Sequence, residues 1–205
     1  TIVDKEKEVK IKLRASNLNG EYEAAKGTLT VYKLKQATKV YRERRWDLPD
    51  LFLMNKSDFE HLFPYDQYAD EANKYTWERG EKMEEIAFST DTTVAKNTAG
   101  EVLLRSSKNW EQGEYLYEAI SYDRNNKEVK VQNYFTLYSS LDKKATGAEL
   151  LNFSMLKDAG EPGETAQVLV GTAEKKLALL VELECKNEII KRDWLELSTS
   201  QKIID

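Results

Sequence analysis

Asp66, Asp70 and Glu71 are three carboxylates close together on an acidic, aromatic stretch. Hard divalent cations such as calcium favour several carboxylates held on one loop. The spacing matches no calcium-loop geometry, and the competing reading is a solvated acidic loop. A second run, Asp123-Arg124-Asn125-Asn126-Lys127-Glu128, opens like a calcium loop but has no glycine at the sixth position and no distal Glu. Its flanking strands call instead for a hairpin turn. The aromatic set Trp46, Tyr65, Tyr68, Tyr75 and Trp77 could stack on the apolar faces of sugars, or could pack inside the same stretch with hydroxyl or indole N–H groups left wet. Packing is the preferred reading.

Cys185 is the one cysteine and His61 the one histidine. An internal disulfide and any multi-His or Cys/His zinc site are thereby excluded. His61 has no sequence partner that suggests a triad, and the chain holds neither a Gly-x-Ser-x-Gly elbow nor a phosphate-cradling glycine loop. Cys185 alternates with Leu177, Leu179, Val181 and Leu183, which predicts a thiol on the core face, inert as a small hydrophobe. No nucleophile, base and oxyanion donor come together. The chain is expected to be no enzyme, with no catalytic residue, no cofactor and no metal. The enzyme alternative is a hydrolase with a cryptic carboxylate pair.

The elements that would position these residues are strands. Val9, Ile11, Leu13 and Ala15 alternate with polar residues, the period-two signature of a half-buried strand. Asn17 to Gly20 breaks the run and Gly27 to Leu34 resumes it. Further strands are expected at Val40–Trp46, Glu85–Thr92, Glu101–Arg105, Tyr115–Tyr122 and Glu128–Tyr138, near the count of an immunoglobulin-like sandwich. Asp47 to Gly80 breaks this rhythm and reads as an insertion with one short helix. Ser57-Asp58-Phe59-Glu60 is a capping box and Pro64 a stop. Ser139 to Gly147 is polar and small, the best linker candidate. After it come strands at Leu151–Lys157, Thr165–Gly171, Lys176–Cys185 and Ile189–Leu197. Four strands are thin for an independent sandwich. These residues either fold alone or complete their sheet with a neighbouring molecule through an edge strand.

Composition narrows the partners. The 205 residues are 33% charged and 40% hydrophobic, with a net charge of −5. Basic residues are interleaved with Glu, so no electrostatic footprint for nucleic acid or an anionic membrane exists. No apolar run approaches the roughly 20 residues of a membrane span, and the first residues lack the form of a signal peptide. Beginning at Thr1 and ending at Ile203-Ile204-Asp205, the chain reads as an excised or processed fragment.

A set of motifs carries a resemblance: Gly27-Thr-Leu-Thr-Val-Tyr-Lys-Leu34, Tyr41-Arg-Glu-Arg-Arg-Trp46, Pro49-Asp50, Phe59, Phe63-Pro64-Tyr65-Asp66, Pro162-Gly163-Glu164-Thr165-Ala166, Val170-Gly171 and Val181-Glu-Leu-Glu184. Together they resemble the α2-macroglobulin family, in particular its large Bacteroidetes members. The resemblance implies an all-β fold of antiparallel, immunoglobulin-like (macroglobulin-like) sandwiches: one over residues 1–142 with its insertion at about 47–80, and the start of a second over 143–205. It also implies a non-enzymatic scaffold in a broad-spectrum protease inhibitor of the periplasm or cell envelope. The implied partners are neighbouring domains of the same parent chain and, through the parent, proteases. Thioester members need a Cys-Gly-Glu-Gln type run, whereas Cys185 is followed by Lys186-Asn187-Glu188, so that covalent chemistry does not reside here. No bait segment can be named. The rival expectation is a cell-surface module that binds glycan or protein through the aromatic insertion.

Overall fold

The computed structural model describes residues 1–91, 100–145, 149–157, 159–161 and 163–204. Thr92, Gly147 and Pro162, at which an expected strand, a linker and a turn motif were placed, lie outside them. The fold is all-β, built from antiparallel sheets of sandwich type. The chain forms two compact units, Thr1–Lys35 with Glu78–Ser140, and Gln36–Trp77 with Leu141–Asp205. Residues 36–77, which overlap the stretch expected as an insertion at about 47–80, cluster with the C-terminal strands.

In the first unit β1 (Ile2–Asp4), β3 (Lys26–Leu34), β4 (Arg79–Ser89), β6 (Gly113–Tyr122) and β7 (Glu128–Tyr138) form a sheet in the order β1-β7-β6-β3-β4. All of its pairings are antiparallel except β1 with β7. A small second sheet pairs β2 (Lys10–Lys12) with β5 (Glu101–Leu103). Alternation explains how the two sheets close on each other. Leu29 and Val31 of β3, Tyr115 and Ala119 of β6, and Phe135 and Leu137 of β7 point to one face, where they meet Val9, Ile11, Val102 and Leu104. Trp110 stacks on Tyr115, and Tyr115 on Phe135, with ring centroids 5.3 and 5.4 Å apart. Gly27 is needed where β3 crosses β6, because a Cβ there would lie 2.0 Å from the Ile120 carbonyl oxygen.

The β6–β7 turn is the hairpin its sequence called for. The Asp123 carboxylate accepts from the amides of Asn125 and Lys127, and Asn126 takes a φ of 59°. Val40–Trp46 is not a strand: Tyr41 makes a single parallel bridge to Glu149. The short β1 was not expected.

In the second unit β8 (Asn152–Lys157), β9 (Gln167–Gly171) and β12 (Gln201–Ile204) form a sheet in the order β12-β9-β8, while β10 (Leu177–Cys185) and β11 (Glu188–Leu197) pair as a hairpin. Lys186 and Asn187 both take positive φ, 53° and 64°, as a two-residue primed turn requires. Cys185 is exposed, not in the core. The predicted face does exist, with Leu177 opposite Leu197 and Leu179 opposite Leu195. It is covered near its base, where Leu197 is buried; towards the turn the register shifts between Leu183 and Glu184, and Leu183 and Cys185 are exposed. Alternation says which residues share a face, but not how far along it the cover extends. The α-helix α1 (Lys56–Leu62) is capped by Asn55, whose side chain accepts from the Asp58 amide, so the cap lies two residues before the Ser57 box.

One buried carboxylate ties the large sheet across its outer face. Glu118 of β6, 5% exposed, accepts from Arg79 of β4 and from Lys130 and Gln132 of β7. Arg79 also lies over the Tyr32 ring of β3, 5.2 Å from its centroid. Burial opposes the charge, but the Lys130, Gln132 and Arg79 donors outweigh it and hold the carboxyl at about 2, from an ordinary 4.5. A depressed folded-state value gives stability that is complete above the unfolded value and is lost as pH falls through the folded one. Denaturant melts between pH 5 and 2 should therefore show a loss of up to about 3 kcal/mol from this group. Glu118→Gln should flatten the dependence in that window, and an unchanged slope would exclude the assignment.

Candidate functional site

The segment Gln36–Trp77 has little regular structure, so side chains must satisfy its backbone. Two arginines do much of this. Arg42 forks onto both oxygens of the buried Asp66, with Nη2 2.7 Å from Oδ2, while its amide donates to the Tyr65 carbonyl at 2.9 Å. Arg44 donates to the carbonyls of Gln67 and Ala69. Tyr68 Oη donates to the Met54 carbonyl and Trp77 Nε1 to that of Glu71. On the other side, Leu150 N donates to the Tyr41 carbonyl, tying the segment to the residues that lead into β8.

The acidic trio is spent on this framework. The Arg42 hydrogen bond, working against burial, lowers the Asp66 pKa. For Glu71 burial is the largest influence and acts upward, but the Lys56 ammonium, 2.9 Å away, and the Ala69 amide outweigh it and leave the pKa lowered. Asp70 faces Arg44 at 3.9 Å. Each carboxylate meets its own cation, and among the described residues no three His, Cys, Asp or Glu side chains gather as a metal-binding group. His61 lies exposed in the last turn of α1.

The five aromatic residues divide between the two expectations. Trp46 is 58% exposed, and Tyr65 and Tyr75 are also exposed, while Tyr68 and Trp77 are half-buried. Tyr68 packs in a cluster with Phe52, 4.5 Å away and stacked, and with Phe59, edge-on at 5.5 Å. This cluster floors an open apolar groove of about 260 Å³, rimmed by Trp46, Leu51 and Leu53. Leu53 is 93% exposed. Its few polar neighbours, Arg44 and Gln67, already bond to backbone carbonyls. The groove can shelter an apolar group, and among the described residues its lining holds no acid, base or nucleophile.

A second concavity, of about 380 Å³, is lined by Trp77, Tyr41, Arg42, Glu43, Asn73 and Glu149 among others, and is much more polar. The sequence singles out Trp77 only as one of the five aromatic residues, for which packing is the preferred reading, and gives no sign of this cavity. Glu149 is far along the chain from the others, and the Tyr41–Glu149 bridge that brings it in leaves no local signal.

No protein-family model matches the chain, and neither the curated proteins nor the solved structures give a significant match.

Asp66→Asn should speed hydrogen exchange at the Arg42 amide and its neighbours, while amides of Leu137 and Tyr115 in the first unit keep their rates. An Arg42 amide that stays equally protected would mean that the Arg42–Asp66 pair does not hold the segment. Leu53→Ser, at an open site, should change stability by less than about 0.5 kcal/mol.

Proposed function

We propose that this chain is a non-enzymatic scaffold piece of an α2-macroglobulin-like protease inhibitor of the bacterial periplasm or cell envelope, and that it couples movements between domains during protease trapping. The observation that carries the reading is the threading of the two units. The chain leaves the first unit after Lys35, builds part of the second, returns at Glu78, and leaves again after Ser140. Three covalent passages join the units, where a simple tandem pair needs one. Two units joined at three points of the chain are suited to passing a displacement from one to the other. The family-like motif Tyr41–Trp46 lies on the threaded segment, and its Arg42 and Arg44 are the residues that hold that segment together.

A second reading, a binding module, is favoured by the exposed groove rim of Trp46, Leu51 and Leu53. The scarcity of uncommitted polar groups suits that groove to an apolar protein segment better than to a sugar.

The two readings separate in a trapping assay. The full-length protein that carries this chain, mixed with equimolar trypsin, should suppress digestion of a protein substrate while leaving hydrolysis of a small peptide amide intact. The isolated chain should do neither. Equal rates on both substrates with the full-length protein would overturn the scaffold reading, and stoichiometric trapping by the isolated chain would show that the piece is more than scaffold.

A further inference from the structure

We infer that the polar cavity of the second unit is a binding site for a neutral saccharide. The inference rests on neither reading above. The cavity, of about 380 Å³, lies within the roughly 300–1,000 Å³ range of small-ligand sites. Its platform is Trp77. The indole follows a 3₁₀ turn, Lys74–Thr76, and its N–H is anchored on the Glu71 carbonyl at 2.8 Å, so the half-buried ring is held in place before any ligand arrives. Tyr41 is less suited to that role, because Lys39 Nζ lies over its ring, 5.4 Å from the centroid.

Around the platform stand planar polar groups with capacity left over. Asn73 uses its Oδ1 to cap the turn, accepting from the Tyr75 amide, which leaves its NH₂ as a donor. Gln67 uses Nε2 on the Arg42 carbonyl, which leaves Oε1 as an acceptor. Arg42 spends Nε and Nη2 on Asp66 and keeps Nη1. Glu43 is an exposed carboxylate on the lining. A hydroxyl both donates and accepts, so a mixed set of donors and acceptors beside a fixed aromatic face suits vicinal hydroxyls on an apolar ring face. Charge selects against acidic sugars: Asp66 neutralises Arg42, while the exposed Glu43 adds negative charge to the lining.

The test is saturation-transfer NMR on the whole chain with millimolar glucose, mannose, galactose, N-acetylglucosamine, maltose, cellobiose and chitobiose. Glucuronate and N-acetyl-lysine amide serve as the anionic and cationic probes. At least one neutral sugar should receive saturation, and its affinity should fall about tenfold or more in Trp77→Ala. Glu43→Ala, at an exposed position that caps no element, should weaken the same sugar while leaving the circular dichroism spectrum unchanged. Trp77→Phe should restore part of the binding lost in Trp77→Ala if the ring acts as a platform. No transfer to any neutral sugar, transfer indifferent to both positions, or binding of the lysine or glucuronate probe alone would each overturn the inference.

Discussion

The constraint on which the rest of this chain depends is the pairing of β3 with β4 across an interruption. Leu34 stands opposite Arg79, and the next residues close the gap: Lys35 N donates to the Glu78 carbonyl at 3.0 Å, and the Lys35 ammonium meets the Glu78 carboxylate at 2.8 Å. Between them the chain makes its entire excursion through Gln36–Trp77. Closing a long loop is only modestly harder than closing a short one, since the entropic cost grows with the logarithm of length. The compensation lies in β3, which pairs with β6 on its other edge and delivers Leu29 and Val31 to the core. Glu118 adds a charged tie from β6 to β4 and β7 on the opposite face. The edge strand β4 therefore joins the sheet only when both ends of the excursion return to one place, and that requirement links its pairing to the segment that helps build the second unit.

How far the sequence could be read follows from this. Strands β3, β6, β7, β10 and β11 were legible because alternation or β-branched and aromatic runs mark them. Two signals misled. Val40–Trp46 has strand-like residues, but Arg42 and Arg44 are engaged by Asp66 and by the carbonyls of Gln67 and Ala69, so tertiary hydrogen bonds override the local pattern. Ser57 and Glu60 have capping-box spacing, yet Asn55 is a cap at least as good and starts the helix earlier. β1 and β12 are three and four residues long, too short to show a period. Alternation along β10 predicts Cys185 in the core, but Cys185 is exposed, beyond a register shift between Leu183 and Glu184 that a plain period-two reading does not anticipate.

The candidate site shows the same division. The carboxylates that invited a metal reading are individually neutralised, and Asp66 and Glu71 are lowered in pKa by their partners. Their work is to hold a segment with little regular structure. The aromatic residues were recognisable from sequence as a group, but their fates differ because one segment has two surfaces. Tyr68 belongs to the apolar cluster and Trp77 to the polar cavity. That split depends on residues brought in from the approach to β8, which no local window contains.

If the threaded units act as the proposed coupler in protease trapping, the distance between them changes when a protease is trapped. The most direct measurement places one spin label on exposed Cys185 of the second unit and one on Lys127→Cys in the β6–β7 turn of the first. Their distance distribution is then recorded in the full-length protein by pulsed dipolar spectroscopy before and after reaction with a protease. A coupler gives a distribution that shifts to a new, defined distance on reaction. A distribution identical before and after, in protein that has demonstrably trapped the protease, would contradict it.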